Sequence, residues 1–398
     1  MEPYPYLTQN HPGIGGQIKV ELEDFIVEEI PLYQLGGTGQ HAYAWVEKRG
    51  LTTYQLIAGL ARALAVPPEA IGYAGLKDAR AVTRQLISID GLEPARLEGL
   101  DLPGVRVLWT SRHRNKLKLG HLAGNRFIIR VRGVERSALP VAEAVLDELR
   151  RRGVPNYYGE QRFGARTNTH RLGHALLRGD GAGFVHEYLG RPQPDERPEL
   201  QAARAAVDAG DLAAALAAWP RALREEYTLL SALVRRGGDV SQVASLLDKK
   251  LRRLFATAYQ SYLFNRLLAG RIQSLDRLEP GDVAYIHANG AAFIVQDVAA
   301  EQARADRFEI SPSGPLFGPK LLLAQGQPGQ REQEMLAQSG LNLDDFRLPG
   351  VRLDGARRPY RVPLSEVEVD WDDGLVLRFR LPAGSYATEV LREVMKHD

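Results

Sequence analysis

The sequence predicts an α+β fold in which a β-rich start and a β-rich end share one sheet and a mostly helical middle is inserted between them. Three observations lead there. Short β-prone runs recur through the first 131 residues, helical spacing dominates from about 169 to 271, and a hairpin pattern returns at 367–379.

The elements follow in order. Ile18, Val20 and Leu22 alternate with polar residues and lead into Phe25-Ile26-Val27, a strand pattern, and residues 41–46 form a second. Thr52 stands where a helix cap is needed, ahead of a helix over 53–66 that Pro67-Pro68 stops. Residues 86–89, 105–109 and 127–131 are short strands. Ser137 opens a helix with Val141, Ala144, Val145 and Leu149 on one side, ended by Gly153. The alanine-rich stretch 201–223 breaks at Gly210 and Pro220, and its apolar residues keep helical period, so it reads as a packed helical hairpin. Helical spacing continues through Leu247, Leu251, Leu254 and Ala258. Residues 283–286 and 292–295 flank Asn289-Gly290, a hairpin signal; 367–371 and 375–379 flank Asp373-Gly374, a second, before a helix over 385–395.

With 398 residues the chain is too long for one ordinary compact domain. Its 44 % hydrophobic and 25 % charged residues are the balance of a soluble globular protein. Cysteine is absent, which excludes disulfides, thiolate zinc sites and cysteine nucleophiles and fits a cytoplasmic location. No secretory signal stands at the N-terminus, and no apolar run approaches the roughly 20 residues of a membrane span. Net charge is only +2, but its distribution is uneven. Residues 105–136 carry Arg106, Arg112, Arg114, Lys116, Lys118, Arg126, Arg130, Arg132 and Arg136 with Glu135 as their one acid, and Arg150, Arg151, Arg152, Arg162, Arg166 and Arg171 follow. Such runs are either solvated surface or phosphate-binding surface. Two in near succession favour RNA or DNA.

The densest candidate for chemistry is the stretch 72–85, where Gly72 and Gly75 precede Lys77, Asp78, Arg80, Thr83, Arg84 and Gln85. Taken alone it is a charged turn, and it lacks the spacing of a phosphate loop. His113 to Lys118, Gly124 to Phe127 and Asn156 to Arg166 each mix cations, amides and rings, which suits single-stranded RNA. The bland reading is that the rings are core and the cations outside. His-Glu-x-x-His, Gly-x-Ser-x-Gly and a dinucleotide fingerprint are absent, and no metal site is expected. His170 and His174 lie one helical turn apart, a spacing that a shared ligand, RNA contact or plain surface can each explain.

Seven motifs occur in series: Glu23 to Glu29 (EDFIVEE), Gly72 to Asp78 (GYAGLKD), Gly124 to Phe127 (GNRF), Gln161 to Gly164 (QRFG), Leu177 to Asp180 (LRGD), Gln260 to Asn265 (QSYLFN) and Leu381 to Thr388 (LPAGSYAT). In this order they resemble the TruD family, which makes pseudouridine at position 13 of certain tRNAs, and the resemblance spans nearly the whole chain. It implies a pseudouridine synthase catalytic domain with a mixed, largely antiparallel sheet at 1–153 and 356–398. It also implies an inserted, mostly helical TRUD domain containing a β-hairpin at 154–355. It implies an isomerase that needs no cofactor, with tRNA as partner, a monomer with no obligate protein partner and no membrane contact.

Residue by residue, the resemblance makes Asp78 the catalytic carboxylate. Phe25 and Asn125 bind the target nucleotide, and Tyr386 adds a ring where the family more often carries phenylalanine. Phe127 takes the place that tyrosine fills in other pseudouridine synthases. Asp78 either attacks C1′ or removes the 2′ proton; both need its ionised form and hence a nearby cation. Lys19 is the leading partner, ahead of Lys77 and Arg84, because Lys77 in an extended segment points away from its neighbour Asp78. Asn125 either reads uracil or orients Asp78. Arg114, Lys116, Lys118, Arg162 and Arg166 are expected to hold the RNA backbone. A non-catalytic RNA-binding protein or RNA chaperone explains the cations and rings as well, and an RNA hydrolase is a third reading.

Overall fold

The computed structural model describes residues 3–396, which form two compact units: 6–156 with 362–396, and 3–5 with 157–361. Among these residues no helix is long and apolar enough to cross a membrane.

The first unit is built on an eight-stranded sheet. Its strands are β1 (Phe25–Pro31), β2 (His41–Arg49), β3 (Ile71–Tyr73), β4 (Val82–Asp90), β5 (Val105–His113), β6 (Leu122–Val131), β7 (Ser365–Trp371) and β8 (Leu375–Pro382). The order is β7-β8-β6-β1-β4-β2-β5, with β3 beside the far end of β4. Only the β1–β4 pairing is parallel, so the sheet is mixed and largely antiparallel, and both ends of the sequence supply strands to it.

The two faces of this sheet differ because side chains alternate along each strand. One face carries Phe25, Val27 and Glu29 of β1. Facing them are Thr83 and Gln85 of β4, Asn125 and Phe127 of β6, Lys48 of β2 and Phe379 of β8. Further along, Ala44, Val46, Ile87 and Ile89 pack against Leu56, Leu60 and Leu64 of the helix Thr53–Leu64. That helix begins with a reciprocal cap between Thr52 and Gln55.

The other face carries a ladder of ion pairs. Arg106 and Arg84 both meet Glu47, at 3.2 and 2.9 Å; Arg84 also pairs with Glu28, and Arg126 pairs with Glu366 at 2.5 Å. Arg130 meets Asp372 at 2.7 Å, Arg132 meets Asp24 at 2.8 Å, and on the edge strand Arg112 meets Glu93 at 2.5 Å. Much of the basic run 105–136 is therefore neutralised by acids from distant strands and is not a continuous positive patch.

Residues 18–22 are not the strand that their alternation predicts. Leu22–Asp24 forms a single 3-10 turn in which the Asp24 carboxylate accepts from the Glu21 N–H at 2.8 Å and from Arg132. Lys19 before it takes a left-handed backbone, φ 59°. The buried Asp24 pins the bend, and β1 starts only at Phe25. Elsewhere the two ends of the unit are sewn together. Buried Glu393, on the helix Ala387–Met395, accepts from the N–H groups of Leu7 at 3.0 Å and Thr8 at 2.9 Å.

The second unit packs helices Thr169–Leu177, Gly181–Leu189, Pro198–Asp208, Leu212–Ala218 and Arg224–Arg235 around Leu172, Phe184, Leu189, Trp219, Leu230 and Phe255. The alanine-rich hairpin turns at Gly210, whose φ of 81° demands glycine, and Asp211 caps the next helix through the Ala214 N–H. The 23-residue helix Lys249–Arg271 runs past the helix Thr169–Leu177. The hairpin Val283–Ile286 and Ala292–Ile294 forms as its turn predicts, within a four-stranded sheet completed by Ile310–Leu316 and Ala356–Pro359.

The loop between β3 and β4, which bears Asp78, is anchored from below. The Lys77 N–H donates to Thr53 Oγ1 at 2.9 Å, and the Lys77 ammonium to buried Glu29 at 2.7 Å. Lys48, fully buried, donates to the main-chain carbonyl of Asp78 at 2.8 Å and to that of Leu51. At Gly72 a Cβ would collide with the Leu117 carbonyl, so β3 reaches its place only with glycine there. Burial draws the Lys48 pKa down to about 8.

Replacing Lys48 by Met should strip the donor from both carbonyls and cost about 1–3 kcal/mol for each one left unpaired. A urea melt with an unchanged midpoint would show that the loop is held some other way. The sign of the pH dependence follows from the lowered pKa. Between about pH 8 and 10.5 the unfolded chain binds the Lys48 proton and the folded chain does not. Wild type should therefore gain stability relative to Lys48→Met as pH rises through that window.

Candidate active site

Three segments meet at Asp78: the bend 18–24, β1, and the loop anchored by Lys48 and Lys77. Lys19 Nζ donates to Asp78 Oδ2 and lies 4.4 Å from the centroid of the Phe25 ring. A cation over a ring face gains electrostatically while its N–H groups still serve the carboxylate. The left-handed backbone of Lys19 is a strained state that its surroundings must hold. Part of that hold is Arg80, whose guanidinium donates to the Lys19 carbonyl at 3.4 Å. Asp78 Oδ1 accepts from the Arg80 N–H at 3.1 Å. Burial pushes the Asp78 pKa up, but the Lys19 ammonium and the N–H groups of Arg80 and Ala79 outweigh it and hold the carboxyl below its ordinary value. The side chain is still 37 % exposed, so the result is an ionised carboxylate that a ligand can reach.

Of the residues predicted from sequence, Lys19, Phe25 and Asp78 are in one group, and Phe127 joins it through an edge contact with Phe25 at 6.4 Å. Phe25 and Phe127 are 5 % and 6 % exposed, so they form a floor and do not offer free ring faces. Asn125 stands two residues from Phe127 on the same face, opposite Glu29 and Leu381. It makes no hydrogen bond to Asp78, and its Oδ1 is buried without a protein partner. Tyr386 stands 44 % exposed at the start of the last helix; no hydrogen bond or ring contact among the described residues ties it to Asp78. Of the rival cations, Lys77 turns down to Glu29 and Arg84 lies on the opposite face with Glu28 and Glu47.

Four polar residues of the site face were given no role from sequence, although Thr83 and Gln85 stand in the stretch 72–85 singled out for chemistry. Thr83 and Gln85 are fully buried, and Thr83 Oγ1 and both Gln85 amide atoms lack protein partners. Glu29 and Lys48 are buried too. Burial raises the Glu29 pKa even against the Lys77 charge. Strand parity was the available signal. Glu29 shares the inward parity of Phe25 and Val27, and an inward polar residue is costly unless it has work or a partner. Beside the Lys19–Asp78 pair opens a cleft of about 810 Å³ lined by Ile18, Lys19, Val20, Arg80, Leu391 and Met395.

The expected RNA-holding cations divide. Arg114 and Lys118 are exposed on the loop between β5 and β6, and no carboxylate among the described residues pairs with them. Lys116, on the same loop, donates to the Glu69 carbonyl. Arg162 donates to Ser261 at 3.1 Å and lies over the Tyr158 ring. Arg166 is committed inside its own unit, where its guanidinium donates to the carbonyls of Glu187 and Tyr188 at 3.4 Å, Gly190 at 3.2 Å and Arg191 at 2.5 Å. These close the end of the helix Gly181–Leu189 and leave the fork little for a ligand. Among the described residues no three His, Asp or Glu side chains converge as metal ligands.

The family model for tRNA pseudouridine synthase D (TruD) matches residues 3–394. A protein of that name from Geobacter metallireducens is 49 % identical over 393 residues, covering 98 % of this chain and 97 % of its own. One from Thermus thermophilus is 41 % identical over 403 residues, covering 99 % and 93 %. A crystal structure titled as a TruD-type tRNA pseudouridine synthase, from Methanosarcina mazei, superposes with a TM-score of 0.87 at 33 % identity, over 99 % of this chain and 96 % of its own. The chain belongs to the tRNA pseudouridine synthase D (TruD) family.

Proposed function

We propose that this protein isomerises uridine to pseudouridine in tRNA, at position 13, with Asp78 as the catalytic carboxylate. The observation that carries this is a reachable carboxylate, kept ionised by Lys19, on an anchored loop in a chain of this family. The reaction breaks the N1–C1′ bond, turns the base and joins C5 to C1′, so nothing is oxidised and no group is added. Asp78 either attacks C1′, forming an ester that C5 later displaces, or takes the 2′ proton to give a glycal. In both routes the charge of Asp78 is consumed as the uracil departs with negative charge. The Lys19 ammonium then faces that charge instead, an electrostatic stabilisation that needs no rearrangement.

The target nucleotide must leave its stack, at a cost of a few kcal/mol. Tyr386 is the open ring for it, and stacking returns about 1–3 kcal/mol. The unpartnered Oδ1 of Asn125 and the unpartnered amide of Gln85 supply acceptors and a donor of the kind that the edge of uracil requires. Arg114, Lys116, Lys118 and Arg162 hold the RNA backbone, and Arg166 supports them from within the fold. The protein works in the cytoplasm as a monomer without a cofactor.

Tritium release from tRNA transcripts carrying 5-tritiated uridine tests the reading directly, because joining C5 to C1′ expels the hydrogen at C5. Asp78→Ala should lower the rate about 10³-fold or more while tRNA affinity changes little. Turnover retained in that variant would remove Asp78 from the chemistry. The pH profile gives an independent test. With the Asp78 pKa held below 3.8, wild type should show no acid limb from this group above about pH 4. In Lys19→Met burial is opposed only by the Arg80 and Ala79 N–H groups, so the limb should move to higher pH, and an unmoved limb would show that Lys19 does not set the ionisation of Asp78.

A further inference from the structure

We propose that a cleft in the 157–361 unit binds one unpaired ribonucleotide of the RNA substrate, its base laid against Tyr262 and His174, the partly exposed members of a ladder of four rings, and its phosphate paired with Arg171 and Arg266. The proposal rests on the reading of the chain as an RNA-modifying enzyme and adds a site on the unit that does not carry Asp78.

The ladder joins two helices. His170 and His174 are one turn apart on the helix Thr169–Leu177, and Tyr259 and Tyr262 are one turn apart on the helix Lys249–Arg271. His170 stacks on Tyr262 at 4.6 Å and 22°, Tyr262 on Tyr259 at 5.9 Å and 22°, and Tyr259 on His174 at 4.8 Å and 30°. The nearby core pairs Phe184–Phe255 and Tyr188–Phe255 cross at 62° and 68° instead. Near-parallel planes at the wall of a cleft are what a planar base extends, whereas crossed rings fill a core.

The cleft has room and the right charge. It measures about 720 Å³, within the size range of small-ligand sites, and among the described residues no carboxylate lines it. Arg266 and Arg171 do. The carboxylate paired with Arg171 is Glu187 at 3.9 Å, and 60 % of the arginine side chain is exposed. Burial raises the Tyr259 pKa, and the Ser339 hydrogen bond, with smaller contributions from Arg266 and Arg178, offsets part of that rise.

A third observation points to a ligand edge. His170 is 7 % exposed, and its Nδ1 is buried with no hydrogen-bond partner among the described residues. His174, by contrast, already holds the Ser339 carbonyl through Nε2 at 2.8 Å. Burial, helped by Arg171, pulls the His170 pKa down to about 4, so the ring is neutral in use. A neutral imidazole stacks without carrying a charge and keeps one nitrogen free to donate to or accept from a base. Rings with guanidinium groups and one uncommitted buried nitrogen are the recognition set for an unstacked base and its phosphate.

The test measures binding of a tRNA transcript by fluorescence anisotropy between 50 and 300 mM salt, beside tritium release by the same proteins. The double variant Arg171→Gln, Arg266→Gln should flatten the dependence of log Kd on log salt by about 1 per lost phosphate contact and weaken binding roughly 10-fold. Tyr262→Ala should weaken it about 5- to 100-fold, and Tyr262→Phe should restore most of the loss. Arg235→Gln, outside the cleft, is the control. If the double arginine variant keeps wild-type Kd and salt slope, the cleft holds no phosphate and the proposal falls, whatever Tyr262→Ala does to folding. Competition by millimolar AMP or UMP that depends on these arginines would make it a site for free nucleotides and overturn the RNA assignment. The two readings fail separately. Wild type that releases tritium while the arginine variants bind normally removes only the cleft. Wild type that binds tRNA through the cleft but never releases tritium removes only the isomerase.

Discussion

The Lys19–Asp78 pair is the interaction on which the site depends, and it is expensive at both ends. Lys19 sits in a backbone region that residues with a Cβ avoid, and Asp78 sits on a loop that would be free to wander if nothing held it. Each end is met by a buried device. Asp24 pins the bend behind Lys19, and Lys48 and Lys77 pin the loop from beneath. The pair joins the two devices. Three lysines thus have three different tasks: Lys19 sets charge, Lys48 holds backbone, and Lys77 neutralises a buried glutamate.

Such division of labour explains what sequence could and could not show. Strands β1, β2, β4, β5, β6, β7 and β8, both hairpins and the helical middle were legible because hydrophobic period and turn residues are local properties. Phe25, Asp78 and Phe127 were singled out through motif resemblance, and Lys19 through the need of an ionised Asp78 for a nearby cation. The bend at 18–24 was not, because alternation of Ile18, Val20 and Leu22 imitates a strand, and the buried carboxylate that bends the chain finds its partner only at Arg132. Ile310–Leu316 hid as well, since Pro312, Gly314 and Pro315 read as breakers although the segment pairs on both sides. Glu29, Lys48, Thr83 and Gln85 needed the register between strands, which no single segment states.

The charge pattern carries the same lesson in electrostatic form. Arg106, Arg126, Arg130 and Arg132 look like one basic run with Arg114, Lys116 and Lys118, yet β-strand alternation sends them to a face where Glu28, Glu47 and Glu366 wait, while Arg112, opposite Ala42 on the edge strand, pairs with Glu93. Ion pairs of this half-exposed kind contribute little stability each. Their larger effect is to cancel a positive field over one face and leave the unpaired cations of the 114–118 loop as a local feature. Specific placement of an anionic ligand benefits from such contrast more than from net charge.

Because β8 pairs along the whole length of β6 and Glu393 closes over Leu7 and Thr8, the order of synthesis matters. A growing chain that has passed residue 361 has all of one unit and only part of the other's sheet. The edge of β6 must then wait, unpaired, through the making of the roughly 240 residues between Val131 and Leu375, and that is the interval in which a strand edge is most open to wrong partners. A chain cut short before β8 would carry Asp78 on a sheet that lacks the strand pairing with β6.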